Sequence, residues 1–174
     1  MLHELSLTRA HTCCFTGSRP EKLGFDWQAQ PYILDMMRRD LRAAILRAIE
    51  QDYTHFITGM SQGFDLWAAE AVLHLQYEYP QIELICALPF PGMERQWPDY
   101  WGRLFEAALS GNIVCTIAPS YRAGCYLERD RFMVEQSSRV ICWYNGNKGG
   151  TKYTHDYAKR HGCHIENLYN SNVL

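Results

Sequence analysis

Short apolar runs alternate along the chain with longer stretches in which apolar positions recur every three or four residues. The runs fall at residues 12–16 (TCCFT), 55–58 (HFIT), 82–88 (IELICAL), 113–117 (IVCTI), 139–144 (RVICWY) and 164–168 (HIENL). Runs of this length, rich in β-branched and aromatic residues and bounded by turn formers, predict buried strands. The intervening stretches predict helices. Ile33, Leu34, Met37, Leu41, Ala44, Ile45, Ala48 and Ile49 form one stripe behind Pro31, which suits a first helical turn. Phe64, Ala68, Ala71, Val72 and Leu75 form a second, expected to end near Tyr79 and Pro80. Trp101, Leu104, Phe105 and Ala108 form a third, stopped by Gly111 and Asn112. Two further helices are expected over residues 126–137 and from Thr151 to about Arg160, the last closed by Gly162. Strands alternating with helices predict an α/β fold with a mainly parallel sheet and helices on both faces. At 174 residues the chain is expected to form a single domain, with a loose tail over about 169–174.

Three strands run into glycine turns. The first turn is Gly17-Ser18-Arg19-Pro20, the second runs from Gly59 and Met60 to Gly63, and the third holds Lys148, Gly149, Gly150 and Thr151. A glycine by itself reports only a backbone need for positive φ. A helix start, however, carries unpaired N–H groups and the positive end of the helix dipole, which favour an anion and most often a phosphate. Ligands of open parallel sheets sit outside the carboxyl ends of the strands, and all three turns fall on that edge. Arg19 is placed to clamp a phosphate, or is simply a surface arginine beside a turn proline. Asp65 follows the second turn and is expected to cap the next helix, with a catalytic carboxylate as the alternative. Phe90 and Trp97 either offer a stacking face to a base or pack the core. Arg38, Arg39, Arg42 and Arg47 lie mostly off the apolar stripe, as a solvated helix face requires.

Composition narrows the function. The formal net charge is −2, with no basic stripe, which argues against a nucleic-acid partner. No apolar run approaches the ~20 residues that span a bilayer, and the first eleven residues lack the charged start and apolar core of a secretory leader. A cytoplasmic protein without a membrane partner is the expectation. The seven cysteines show no C-x-x-C spacing. Cys13, Cys14, Cys86, Cys115 and Cys142 fall in strands as small hydrophobes, Cys125 in a loop and Cys163 near the end; all are expected to be free thiols. His161, Cys163 and His164 cluster without the further ligands a metal site requires, so no metal is assigned.

Three segments together resemble the SLOG superfamily: FTGSRP, FITGMSQGFDLWAAEAV and RDRFMVEQSSRVICWYNGNKGGTKYTHDYAKRHG. The nearest branch is the YpsA-like family, with DprA (Smf) and the LOG phosphoribohydrolases as more distant relatives. The likeness runs from about Cys13 to Leu168. It implies a single Rossmann-like domain whose partner is a nucleotide-derived small molecule, such as an ADP-ribose or nicotinamide-dinucleotide derivative. The matching positions are Gly17, Ser18 and Arg19; Gly59, Met60, Gly63 and Asp65; and Gly149, Gly150 and Thr151. Phe90, Arg131 and Lys148 complete the expected binding set. Arg129 and Arg131 stand where the DprA-like pattern has Arg-Asn-Arg, but Asp130 replaces the asparagine. The LOG-type hydrolases carry a glutamate shortly after their Gly-Thr. Here Thr151 is followed by Lys152, Tyr153, Thr154 and His155, with Asp156 arriving later. Binding or sensing is therefore the expected function, with cleavage of a nucleotide or N-glycosidic bond as the alternative and DprA-like binding of single-stranded DNA third. The cofactor is unknown, and a homo-oligomer is left open.

Overall fold

Alternation within each strand divides the apolar side chains between two cores. The computed structural model describes residues 7–170 and 172. Residues 1–6, on which much of the leader expectation rests, and tail residues 171, 173 and 174 lie outside the described residues. Among the described residues there are six strands: β1 (Thr12–Gly17), β2 (His55–Thr58), β3 (Glu83–Leu88), β4 (Ile113–Thr116), β5 (Arg139–Trp143) and β6 (His164–Asn167). Five helices connect them: α1 (Pro31–Glu50), α2 (Phe64–Gln76), α3 (Asp99–Leu109), α4 (Cys125–Glu135) and α5 (Gly150–Arg160). Cys13, Phe15, Phe56, Leu84, Cys86, Ile141 and Trp143 join the core formed with α1, α2 and α3. Their neighbours Cys14, Ile57, Ile85, Val140 and Cys142 join Met133, Val134 and Ala158 of α4 and α5 on the opposite face. One residue of register thus decides which core a side chain enters.

The sheet order is β4-β3-β2-β1-β5-β6. All its pairings are parallel. The chain steps outward from β1 through β2 and β3 to β4, then crosses back to lay β5 on the other side of β1. The order therefore reverses at β1 and β5, and a crevice opens outside their carboxyl ends. Helix α2 packs against both α1 and α3. Phe64, Asp65, Leu66, Trp67, Ala68 and Ala69 at its start are all buried, so it carries no simple amphipathic stripe there.

The strands expected from the sequence are found within a residue or two of their predicted bounds, as is usual where helix and strand ends are judged. The second helix stops at Gln76, short of Tyr79. Cys125 is not in a loop but opens α4, buried. All seven cysteines are free. Burial pushes the Cys86 and Cys142 thiols up to about 12 and raises those of Cys13 and Cys14 well above the ordinary thiol range. The tail is held further than expected: Leu168 N–H donates to the Cys142 carbonyl at 2.9 Å, and Tyr169 packs edge-on against Trp143. Among the described residues no helix is long and apolar enough to cross a membrane.

Candidate functional site

The turn after β2 is built from close approaches. A β-carbon on Gly59 would lie 2.8 Å from the Arg129 guanidinium carbon and 2.9 Å from Asp65 Oδ2. Gly63, with φ 92°, opens α2 as its cap residue, and a side chain there would lie 2.6 Å from the Ser18 carbonyl oxygen. Only glycine meets both the left-handed backbone and the contact. Between them Met60 adopts φ 61°, a conformation that strains a non-glycine residue. Thr58 braces the strained turn: its Oγ1 accepts from the Met60 N–H at 3.3 Å and donates to the Asp65 carbonyl at 2.9 Å.

This turn delivers Asp65 to the floor of the crevice. Asp65 does not cap α2; it lies inside the first turn, and its Oδ2 reaches back to accept from the Ser61 N–H at 3.4 Å. Its Oδ1 is buried and accepts no hydrogen bond. Burial raises the Asp65 carboxyl from 3.8 to about 7; Arg129 opposes the rise and Asp130 adds to it. From α4, Arg129 donates through Nε to Asp130 Oδ1 at 2.9 Å and through Nη1 to the Gly59 carbonyl. Asp65, Arg129 and Asp130 are each less than a tenth exposed. Asp130 is thus paired with the guanidinium while Asp65 lies within its field, and burial lets the Asp65 carboxyl retain its proton towards neutral pH.

The loops after β1 and β5 form the rim and are tied to each other. Asn145 Nδ2 donates to the Lys22 carbonyl at 2.8 Å, and Trp143 Nε1 to the Leu23 carbonyl at 2.9 Å. The cleft they enclose is about 340 Å³, at the small end of ligand sites. Gly149 caps α5 without any side-chain hydrogen bond, so the N–H groups of the first turn are open to a ligand. Arg19, Lys22 and Lys148 stand around this helix start. Among the described residues these three cations make no ion pair, in contrast to Arg129 in the floor. A rim of three cations and Glu21 therefore sits over a floor of Asp65, Asp130 and Arg129.

The predicted residues separate into two groups. Gly17, Ser18, Arg19, Asp65, Lys148, Gly149, Gly150 and Thr151 line the cleft. Gly59, Met60 and Gly63 lie behind it as the scaffold that positions Asp65 and Arg129, and Met60 is fully buried in the apolar core. Gly17 serves packing as well, since a β-carbon there would lie 2.4 Å from the Phe64 side chain. Phe90 does not line the cleft; it packs edge-on behind Tyr126, and Trp97 packs on Phe105. Arg131 points away and donates to the Tyr153 hydroxyl at 3.3 Å. Tyr126, Asp130, Ser61, Lys22, Asn145 and Asn147 line the cleft without having been chosen from the sequence. The Arg19 and Arg129 guanidiniums lie 5.8 and 5.6 Å from the Tyr126 ring centre.

No carboxylate follows Thr151 into the cleft. Asp156 is paired with Lys152 and with His155, whose Nδ1 is 3.1 Å from Asp156 Oδ1, and none of the three lines the cleft. Near the C-terminus His161 stacks on Tyr157 and the Cys163 thiol donates to the Ser137 carbonyl at 3.3 Å.

Comparison with known proteins identifies the family and the fold. The family model YpsA, described as the YspA SLOG family, matches residues 13–172. The UPF0398 proteins of Bacillus cereus (strain B4264) and Bacillus thuringiensis (strain Al Hakam) are each 28% identical over 163 residues, 91% of this chain and 88% of theirs. Two solved structures share the fold. DNA processing protein A (DprA) of Streptococcus pneumoniae superposes with a TM-score of 0.60 at 17% identity, over 92% of this chain. DNA processing protein A of Helicobacter pylori, whose structure describes a single-stranded DNA binding mode, gives 0.60 at 18% identity over 90% of this chain. This chain spans 50% and 64% of the length of those two proteins, respectively.

Proposed function

The chain belongs to the YspA SLOG family, and from that premise we propose that its carboxyl-edge cleft binds a nucleotide or nucleotide-derived small molecule, as a binding or sensing module. One observation carries the reading: the open start of α5 meets Arg19, Lys22 and Lys148, three cations without ion pairs among the described residues, in a single cleft at the reversal of strand order. Backbone N–H groups and unpaired cations recognise phosphate without a nucleophile or a metal. Ser18 and Thr151 add hydroxyls at the same rim. Tyr126 supplies the aromatic face that a base requires.

Calorimetric titration with nucleotide mono- and diphosphates and ADP-ribose tests this. The parent is expected to bind a member of the panel, and Arg19→Ala and Lys148→Ala to weaken it. The reading fails if none of the panel binds, or if both folded variants bind as tightly as the parent. Chromatography of the same mixtures separates a binding module from a hydrolase, because only a hydrolase consumes its ligand.

Single-stranded DNA is the second reading, favoured by the fold shared with the two DNA processing proteins. Against it stand the net charge of −2 and the acidic floor. Gel-shift titration with an unstructured oligonucleotide decides between them: tight binding that Lys148→Ala weakens, with no nucleotide bound, makes the cleft a nucleic-acid site.

A further inference from the structure

Asp65 is a buried carboxyl left half-satisfied at a place where a ligand arrives. Its Oδ2 takes the Ser61 N–H, while Oδ1 accepts nothing. Leaving a buried acceptor unmade is costly, and native structures rarely tolerate it without a partner that comes later. The groups facing it are Arg129 and Asp130 from α4 and Arg19 from the loop after β1. Arg129 is already committed to Asp130 and the Gly59 carbonyl. Among the described residues neither Arg129 nor Arg19 donates to Oδ1.

The floor lies close under the phosphate-binding rim. A β-carbon on Gly150, in the first turn of α5, would lie 4.0 Å from Asp130 Oδ2; Asp130 is paired with Arg129, whose charge also acts on Asp65. The group that descends from a phosphate at the α5 start onto this floor is the one attached directly to it. In a nucleotide that group is the sugar, and sugar hydroxyls are neutral donors. A second phosphate would instead meet two carboxyls and be repelled.

We propose that Asp65 is the ligand-selecting residue of the cleft, accepting a sugar hydroxyl of a phosphorylated ribose on Oδ1 and releasing its proton as the ligand binds. This rests on the nucleotide reading above and specifies which part of the ligand meets the floor. The sign of the proton linkage follows from the chemistry. A hydroxyl donor favours the carboxylate, so binding lowers the pKa of Asp65 and expels a proton. A phosphate on the same oxygen would favour the protonated acid and take a proton up.

The test is calorimetry at pH 7 with AMP and 2′,3′-dideoxy-AMP, in two buffers of different ionisation enthalpy so that protons are counted. The parent is expected to bind AMP at least about tenfold more tightly than the dideoxy analogue, the loss expected when a buried acceptor goes unpaired. AMP should release up to about half a proton, since the carboxyl titrates near this pH. The dideoxy analogue should release none. Asp65→Asn should bind the two ligands alike and release none. Equal binding of AMP and its analogue by the parent overturns the selecting role while the phosphate site stands. Proton uptake on AMP binding, or a tenfold preference surviving in Asp65→Asn, overturns it equally. If no nucleotide binds, the inference falls together with the reading beneath it. The comparison of the two ligands uses the parent protein alone, so it holds even if the variant fails to fold.

Discussion

Arg129 on α4 donates a hydrogen bond to the carbonyl of Gly59, seventy residues earlier in the chain. That bond joins the helix on one face of the sheet to the turn after β2, and it fixes the floor of the cleft. It also explains why residue 59 is glycine. Its small size makes room for the guanidinium and for the Asp65 carboxyl.

Gly59→Ala is therefore expected to destabilise the protein by about 1–3 kcal/mol, as overpacking of a filled interior does. The new β-carbon meets Arg129 and Asp65 at 2.8 and 2.9 Å, so the floor must shift. Urea denaturation followed by circular dichroism measures it. Gly17→Ala serves as the comparison, because its β-carbon collides with Phe64 and moves no charge. A Gly59→Ala protein as stable as the parent would show that the floor is loosely held.

Asp65 also makes stability depend on pH. Its carboxyl is raised from 3.8 to about 7 by burial in the folded protein. Its contribution is thus fully present below about pH 4 and is lost as pH rises to about 7. Over that range the loss is on the order of 4 kcal/mol. Asp65→Asn should flatten this part of the profile and gain on the parent most above pH 7. Urea midpoints of both proteins between pH 4.5 and 8 check it, and the difference between them removes the other titrating groups. A difference that stays constant as pH rises would mean that Asp65 is ionised throughout.

Thiol reactivity should separate Cys163 from the rest. It is only partly buried, whereas the other six cysteines are buried. Burial raises its pKa too, so its reaction with a disulfide reagent at pH 8 should be slow. One thiol is expected to react in the native protein and all seven after denaturation without reductant. A deficit after denaturation that reductant restores would reveal a disulfide.

The strands were legible because all but β6 are apolar runs closed by glycine or proline, and the cleft because three such runs end on one edge. Which arginine of α4 enters it was harder to read. Arg129 and Arg131 are two residues apart and so point about 200° from each other around the helix. The signal lay one turn further on: Arg129 and Asp130 precede the buried Met133 and Val134 by four residues each, and so share their face. Phe90 was misleading for a different reason. An aromatic beside a proline turn reads the same whether it faces a ligand or supports Tyr126, which does line the cleft. Asp65 looked like a cap because the true cap, Gly63, has no side chain to announce it.

Salt dependence distinguishes a nucleotide pocket from a nucleic-acid track. A single-stranded oligonucleotide lies across many phosphates, and its affinity falls with log salt at a slope of roughly 0.7 per phosphate neutralised. The cleft offers Arg19, Lys22 and Lys148 as cations free of ion pairs among the described residues, and Asp65 and Asp130 beneath them repel any further phosphate. A small nucleotide held by this rim should therefore lose affinity only shallowly with salt, because its contacts include backbone N–H groups that carry no counterion. Arg19→Ala should weaken it by about 1.5–3 kcal/mol where the contact is charge-assisted and sheltered, and less where solvent screens it. An oligonucleotide should bind weakly at moderate salt, since few phosphates can be neutralised at once. The measurement is affinity for the nucleotide and for a single-stranded oligonucleotide across a salt series, with parent and Arg19→Ala proteins. Oligonucleotide binding that is tight, steeply salt-sensitive and reduced in slope by Arg19→Ala would place a strand, and not a single nucleotide, on the rim.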